Sequence, residues 1–390
     1  MPLPLKTQVA AVGVGVSTFN RAGNRSPLGL AADAFSAALA DAALSKDDVD
    51  GLITHLGSSL GGIDYDRLAE GLGLRLRYAM QTWTHGRFIT SSLQLGAAAV
   101  GMGLADVVAC IVGISFTSLG TLGGPGDEEG FRQGGGSHGE TPHYGMTAPG
   151  GGAAMAARVY FERYGGGPEQ LAAIPIAFRR HARMNPQSLM TGEMGLEEYL
   201  AEPYIVEPLR RPDFSLVSDG GACVLLASAE RARDLPHRPV LIGGMQGIRT
   251  GAEEFIFATP GLGVWQQTVG EPPLEEHPVY RMAGVSIGDI DSLQTYDAFS
   301  PNVLFTLERF GFCGRGEALD FIQDGRIELG GELPINTAGG LLSEAHVGGM
   351  NHMVEIVRQL RGEAGERQIP DCEVVQWATP WADSLIFHRA

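Results

Sequence analysis

Apolar residues follow one another along this chain in two alternating rhythms. Val9-Ala10-Ala11-Val12-Gly13-Val14-Gly15-Val16 is an unbroken apolar run of strand type, and Ala31 to Leu44 repeats Ala, Phe and Leu at helical spacing. Val49-Asp50-Gly51-Leu52-Ile53 returns to the strand pattern; Ser91 to Leu104 reads as an Ala/Gly helix and Asp106 to Ile114 as a buried strand. This alternation predicts βαβ units and a largely parallel sheet covered on both faces. The rhythm stops at Gly120 to Gly139, a glycine-dense stretch with almost no large apolar side chain, expected to be a surface loop. Helical patterns resume over Thr147–Tyr164 and Leu171–Met184. Beyond them, Ser215–Leu226 and Pro239–Gly244 read as strands, Ser300–Phe310 and Gly348–Leu360 as helices, and Glu373–Trp377 and Ser384–Phe387 as closing strands.

The pattern divides the chain into two α/β halves. Residues 1–117 and 215–236 are expected to form the first, interrupted by an inserted loop domain at 118–214, and residues 237–390 the second. The halves show no visible repeat in sequence.

Composition narrows the class. With 44% hydrophobic and 19% charged residues in 390, the chain can bury a large core and is not of disordered type. The net charge of −17 carries no basic stripe, which excludes a duplex-binding protein and predicts no nucleic-acid partner. Leu93 to Ile114 is the most apolar stretch, but Asp106 interrupts it, so no membrane span is expected. Met1-Pro2-Leu3-Pro4-Leu5-Lys6 lacks the pattern of a secretory leader. Cys110, Cys223, Cys313 and Cys372 stand apart with no CxxC pairing, so neither a zinc site nor a disulfide framework is expected. These features point to a cytoplasmic α/β protein with no metal of its own.

Three segments could carry chemistry. Asn336 to His352 is the densest, with Gly339-Gly340 and Gly348-Gly349 allowing close backbone approach to a ligand and His346 able to titrate near neutral pH. An ordinary helix-start turn reads equally well there, and His352 fits a structural or surface role. Thr295-Tyr296-Asp297-Ala298-Phe299-Ser300 lies where a strand ends and a helix begins, the place open α/β folds put their sites. Tyr296 can donate a proton and Asp297 can act as a base or orient a neighbour, although an ordinary junction explains both. His85-Gly86-Arg87 leads into Thr90, Ser91 and Ser92 at a helix start, where a capping role is the plainer reading. His138 and His143 in or beside the glycine loop could close over a ligand, and Arg179, Arg180, His181 and Arg183 could meet a phosphate, though solvated loop and helix faces account for them as well.

Taken together, these segments resemble the thiolase superfamily over almost the whole chain, specifically its sterol-carrier or lipid-transfer branch. Ser218-Asp219-Gly220-Gly221-Ala222-Cys223-Val224-Leu225-Leu226-Ala227 and Pro142-His143-Tyr144-Gly145-Met146-Thr147-Ala148-Pro149 look like signatures of that branch. Gly339-Gly340-Leu341-Leu342-Ser343-Glu344-Ala345-His346 occupies the place of the Gly-His-Pro block, with His346 on its histidine, and Tyr296-Asp297-Ala298-Phe299 occupies the Asn-Glu-Ala-Phe block. The resemblance implies a thiolase-like fold: two similar βαβαβαββ halves in a five-layered α-β-α-β-α body, an inserted loop domain over the site, and a coenzyme A thioester as ligand.

The departures from that family change the expected reaction. Gly86 stands where the nucleophilic cysteine belongs; a shifted alignment offers only Thr90 or Ser91. Trp377-Ala378-Thr379-Pro380-Trp381 likewise lacks the second catalytic cysteine. Thiolysis needs a thiolate to carry the acyl group, whereas retro-aldol cleavage of a β-hydroxyacyl thioester needs only proton transfer and enolate stabilisation. Similar cysteine-free members are aldolases that remove steroid side chains, with a tyrosine at the position of Tyr296 and another at that of His346. The resemblance therefore implies a carbon–carbon lyase with Tyr296 and His346 as the acid/base pair and Asp297, Ser343 and Gly340 in support. It also implies a homodimer, a small OB-fold partner with a zinc ribbon, often carried by a hydratase, and no cofactor in this chain beyond the coenzyme A of the substrate. A thiolase-like acyltransferase and a non-catalytic acyl-CoA-binding subunit are the alternatives.

Overall fold

Val9–Val16 (β1) lies at the middle of a nine-stranded sheet, which is why its run is apolar without interruption. Val9, Ala11 and Val14 face one core and Ala10 and Val12 the other. The protein is described here as a computed structural model that covers residues 8–58, 61–82, 89–119, 149–248 and 277–390. The other sheet strands are β2 (Gly51–His55), β3 (Tyr78–Thr82), β4 (Val107–Ser115), β7 (Asp219–Ser228), β8 (Val240–Gln246), β9 (Ser292–Thr295), β10 (Val374–Ala378) and β11 (Ser384–Arg389), while β5 (Tyr204–Val206) and β6 (Leu209–Arg210) pair separately.

Hydrogen bonding orders the large sheet β3-β2-β4-β7-β1-β8-β11-β10-β9. Beyond β9 a single parallel bridge, Leu293 to Ile335, stands where a further strand would lie. Numbered within its own half, each set of strands then runs 3-2-4-5-1 from the outer edge inward. The halves repeat in topology and meet through β1 and β8, paired at Ala10 with Leu241 and Ala11 with Val240.

The expectation of a largely parallel sheet is corrected. Parallel pairs join β2 to β3, β2 to β4 and β9 to β10, whereas every pairing from β4 inward through β7, β1, β8, β11 and β10 is antiparallel. The short turn at 379–383 between β10 and β11 leaves no room for the crossover that parallel neighbours need.

The helix Pro27–Ala42 starts with Pro27 behind Ser26, whose Oγ accepts the Gly29 N–H at 3.1 Å, and lies across β1, β4 and β7. It packs closely because Gly15 and Gly221 carry no side chain; a Cβ at either would overlap the backbone oxygen of Ala34 or Leu30. On the other face lie the helices Ile89–Met102 and Met350–Arg361. The latter is buried almost all round despite Asn351, His352, Glu355 and Gln359, so those polar groups must find partners inside the protein. Between β4 and β7 the chain forms the helices Pro149–Tyr164, Pro168–Leu171, Ala173–Arg183 and Leu196–Ala201. Pro149–Tyr164 packs on Pro301–Phe310, and Ala173–Arg183 on the turn Gly340–Ser343. No described helix is long and apolar enough to cross a membrane.

Candidate active site

Strand β9 ends at Thr295, and residues 296–300 turn the chain into the helix Pro301–Phe310. Asn336, in the left-handed region at φ 49°, does the work of a neighbouring strand: its Oδ1 accepts the Thr295 N–H at 2.8 Å and its Nδ2 donates to the Thr295 carbonyl at 3.0 Å. Gly339 and Gly340 follow at φ 105° and 63°, values that favour glycine, and open the helical turn Gly340–Ser343. Asp297 caps this turn, accepting the N–H groups of Leu341 at 2.9 Å and Leu342 at 3.2 Å. A few residues on, the His346 N–H donates to Ser218 Oγ at 2.8 Å, tying the loop to the start of β7.

These restraints place Tyr296 Oη 3.2 Å from His346 Nε2. Both side chains are nearly enclosed, at 6% and 7% exposure. Phe116 leans on the imidazole with ring centroids 4.8 Å apart, and Trp381 flanks the phenol at 6.3 Å. Burial pushes the His346 pKa down to about 4; Asp297 opposes that shift and His352 adds to it. The imidazole is therefore neutral at physiological pH, below the near-neutral titration that the sequence suggested. Its Nδ1 has no hydrogen-bond partner among the described residues, which leaves one polar atom available to a ligand.

The supporting residues stand behind this pair. Asp297 is fully buried on the loop side, and Gly340 leaves the space its carboxylate fills, since a Cβ there would overlap Oδ2. Ser343 turns away and accepts from Arg179 Nε at 3.1 Å. His352 is buried, not at the surface, between Gln294 and Asp297. Gly86, His85, His138, His143 and the segment 142–148 lie outside the described residues.

Thr90 is 1% exposed; its hydroxyl donates to Asp383 and accepts the Trp377 indole N–H at 2.7 Å, so both its hydrogen-bonding roles are taken. Ser92 Oγ pairs with Thr82 Oγ1 at 3.2 Å. In the arginine cluster, Arg180 meets Glu328 at 2.5 Å and Arg183 meets Glu193 at 2.7 Å. His181 accepts the Leu329 N–H on Nε2 at 3.1 Å, which leaves Nδ1 to donate to the Asn336 carbonyl, and burial pushes its pKa down to about 4.

The cysteines sit elsewhere in the protein. Cys110 lies in β4 against the Ser92 carbonyl, and Cys223 faces the helix Pro27–Ala42 side of the sheet. Cys313 neighbours Glu308 and Glu317, and Cys372, its thiol pushed up to about 12 by burial, neighbours Asp291. Among the described residues Asp41, His237 and Glu363 are close enough to share a cation. Arg361 already reaches Asp41 at 2.8 Å and Glu363 at 3.8 Å, and its charge opposes a metal ion there.

Phe116 and Trp381 were not singled out from the sequence. Phe116 follows β4, whose end is pinned by Asp219: the carboxylate accepts the Thr117 N–H at 3.0 Å and the Thr117 hydroxyl at 2.6 Å. Trp381 ends the motif that lacks the second cysteine, the one signal that could have given it a role.

Residues 277–378 match the family described as thiolase C-terminal domain-like. A steroid side-chain-cleaving aldolase of Thermomonospora curvata is 37% identical over 360 residues, 90% of each chain. A 17-hydroxy-3-oxo-4-pregnene-20-carboxyl-CoA lyase of Mycobacterium tuberculosis is 37% identical over 364 residues, 92% of each chain. Among solved structures, an Ltp2-ChsH2(DUF35) aldolase superposes with a TM-score of 0.85 at 33% identity, over 99% of this chain and 98% of that one.

Proposed function

Because this chain belongs to the thiolase superfamily, in the sterol-carrier-like branch with its aldolases, we propose that it cleaves the side chain of a steroid β-hydroxyacyl coenzyme A thioester by a retro-aldol step. The observation that carries this reading is the buried contact of Tyr296 Oη with His346 Nε2, 3.2 Å long.

The substrate's β-hydroxyl loses its proton to Tyr296 and His346. The O–H electron pair becomes the ketone's C=O π bond, and the Cα–Cβ pair passes to the thioester as an enolate. The α-carbon then takes the proton back, releasing a ketone and a short acyl thioester. No electrons are gained or lost overall, and the proton lifted from oxygen is the one delivered to carbon, so one proton-sharing pair serves both steps. His346 Nδ1, neutral and without a partner among the described residues, can donate to the enolate oxygen in the tautomer that carries its hydrogen there. No covalent acyl-enzyme is needed, and the occupied hydroxyl of Thr90 favours none. Tyr296 and His346 are the catalytic residues in this reading; Asp297 and Gly340 shape the loop that presents His346, and Ser343 anchors its far side.

We extend the reading to the chain's surroundings. Coenzyme A enters as part of the substrate, with no cofactor resident in this chain, and a cytoplasmic location fits such a thioester. The solved Ltp2-ChsH2(DUF35) aldolase couples two components, which supports a small partner protein. We assign that role to an OB-fold protein with its own zinc ribbon, carried by a hydratase, working with a homodimer of this chain.

The test is to co-purify the chain with its candidate partner and supply tertiary β-hydroxyacyl coenzyme A thioesters of differing ring systems and acyl lengths. Ketone and acyl thioester released in equal amounts are expected. Binding of these thioesters without ketone from any of them would overturn the reading in favour of a binding subunit.

A further inference from the structure

A chain of buried side chains leads to Asp297 from the opposite side to Tyr296. Arg367 grips Glu355 with two contacts, Nη2 to Oε2 at 3.0 Å and Nε to Oε1 at 3.3 Å, which holds that carboxylate ionised and able only to accept. The Thr337 hydroxyl, 2.9 Å from Glu355 Oε1, must therefore donate to it. Its oxygen is left to accept, and does so from Gln359 Nε2 and Gln294 Nε2, each at 3.2 Å. With its amide nitrogen committed to Thr337, Gln294 turns Oε1 toward His352 Nδ1 at 3.2 Å, so Nδ1 carries a hydrogen.

That leaves His352 Nε2, which lies 3.2 Å from Asp297 Oδ1 as an ion-pair contact rather than a straight hydrogen bond. A bare lone pair there would face a carboxylate that already accepts two backbone N–H groups. A second hydrogen turns repulsion into attraction, inside a site where neither side chain is more than 1% exposed.

We propose that His352 is a positioning residue: held as the doubly protonated ring, it neutralises Asp297 and so offsets that carboxylate's pull on a proton at His346. This rests on the reading that Tyr296 and His346 exchange the reaction's proton. The charged and titratable groups around His346 are Tyr296 and Asp297 from the strand–helix junction and His352 from the helix Met350–Arg361; Glu344 faces His352 from the loop. Asp297 alone would draw a proton onto His346, and a cation at His352 offsets that pull, in the directions already given for the His346 imidazole. The arrangement makes the buried polar helix part of the site and not merely part of the core.

The test is a nitrogen NMR titration of the full-length protein labelled at histidine, with His352→Gln as the variant. In the wild type both His352 ring nitrogens are expected to carry hydrogen at neutral pH. In H352Q the His346 midpoint is expected to rise by about one pH unit, the size of effect a lost neighbouring charge gives. A His352 ring with one hydrogen in the wild type overturns the proposal, and so does a His346 midpoint in folded H352Q that stays put or falls. If H352Q does not fold, the wild-type spectrum alone decides. Neither measurement depends on turnover, so absence of lyase activity would sink the proposed function and leave this coupling to stand or fall separately.

Discussion

Gly340 and Asp297 are complementary by exclusion: the carboxylate of one fills the space that a side chain on the other would need. Gly340→Ala puts a Cβ into that carboxylate and asks alanine to hold φ 63°. A loss of about 2–4 kcal/mol is expected from the left-handed backbone and the overlap together. Chemical denaturation reads it, and an unchanged midpoint would remove Gly340 from the site's framework.

Tyr296 and His346 should behave as one unit. Tyr296→Phe and His346→Ala are each expected to lower kcat by about 10²–10⁴ with a much smaller change in KM. The double variant should be little worse than the more damaged single variant, because each alone breaks the same proton path. Multiplying losses, or turnover unchanged in both single variants, would dismantle the pair.

Stability should fall in mild acid. His346 and His181, held down to about 4 against an ordinary 6.5, contribute stability that is complete above pH 6.5 and lost as pH falls through 4, because the unfolded chain takes up their protons first. Asp213 has the opposite sign: burial raises it from 3.8 to about 6, so its contribution is complete below 3.8 and lost as pH rises through 6. Set against Asp213 alone, the two histidines leave a net loss of about 2–3 kcal/mol between about pH 7.5 and about pH 5, and Glu344, also raised by burial, opposes that loss further. Urea midpoints at the two pH values measure it, and His181→Gln should remove about half of the histidine part.

Thr90 is expected to support the structure and not to be acylated. Incubation with an acyl coenzyme A thioester should leave the intact mass unchanged. Thr90→Val, which takes one donor from the Asp383 carboxylate and the acceptor from the Trp377 indole N–H, should cost about 1–3 kcal/mol of stability. A mass increase equal to the acyl group, lost in Thr90→Val, would restore the acyltransferase alternative.

Much of the fold was legible because its strands are buried on both faces. β1, β4 and β7 declare themselves as apolar runs, and the helix Met350–Arg361 was found from its periodicity alone. β3 was missed because Tyr78-Ala79-Met80-Gln81-Thr82 is a half-exposed edge strand with no continuous apolar run. Tyr296 and His346 could be found as chemical types at a strand end and in a glycine-rich turn, but their approach across a separation of 50 positions depends on Asn336 standing in for a strand and Ser218 holding the loop. His352 looked structural for a sound reason, since a lone histidine on a buried helix face usually is. Only the hydrogen-bond directions running back to Arg367 give its ring a charge to carry.

The place of β1 governs how the protein is assembled on the ribosome. It leaves before every other strand of the sheet, yet its ladder partner β7 begins more than two hundred positions later, the Gly221 N–H bonding to Ser17 Oγ across 204 of them. Until that partner is translated, eight apolar residues bound for the middle of the sheet have no edge to join, and slow pairing at such range is the general cost of distant contacts. A nascent chain stalled before residue 219 exposes this segment, so shielding by a chaperone matters most until β7 has emerged.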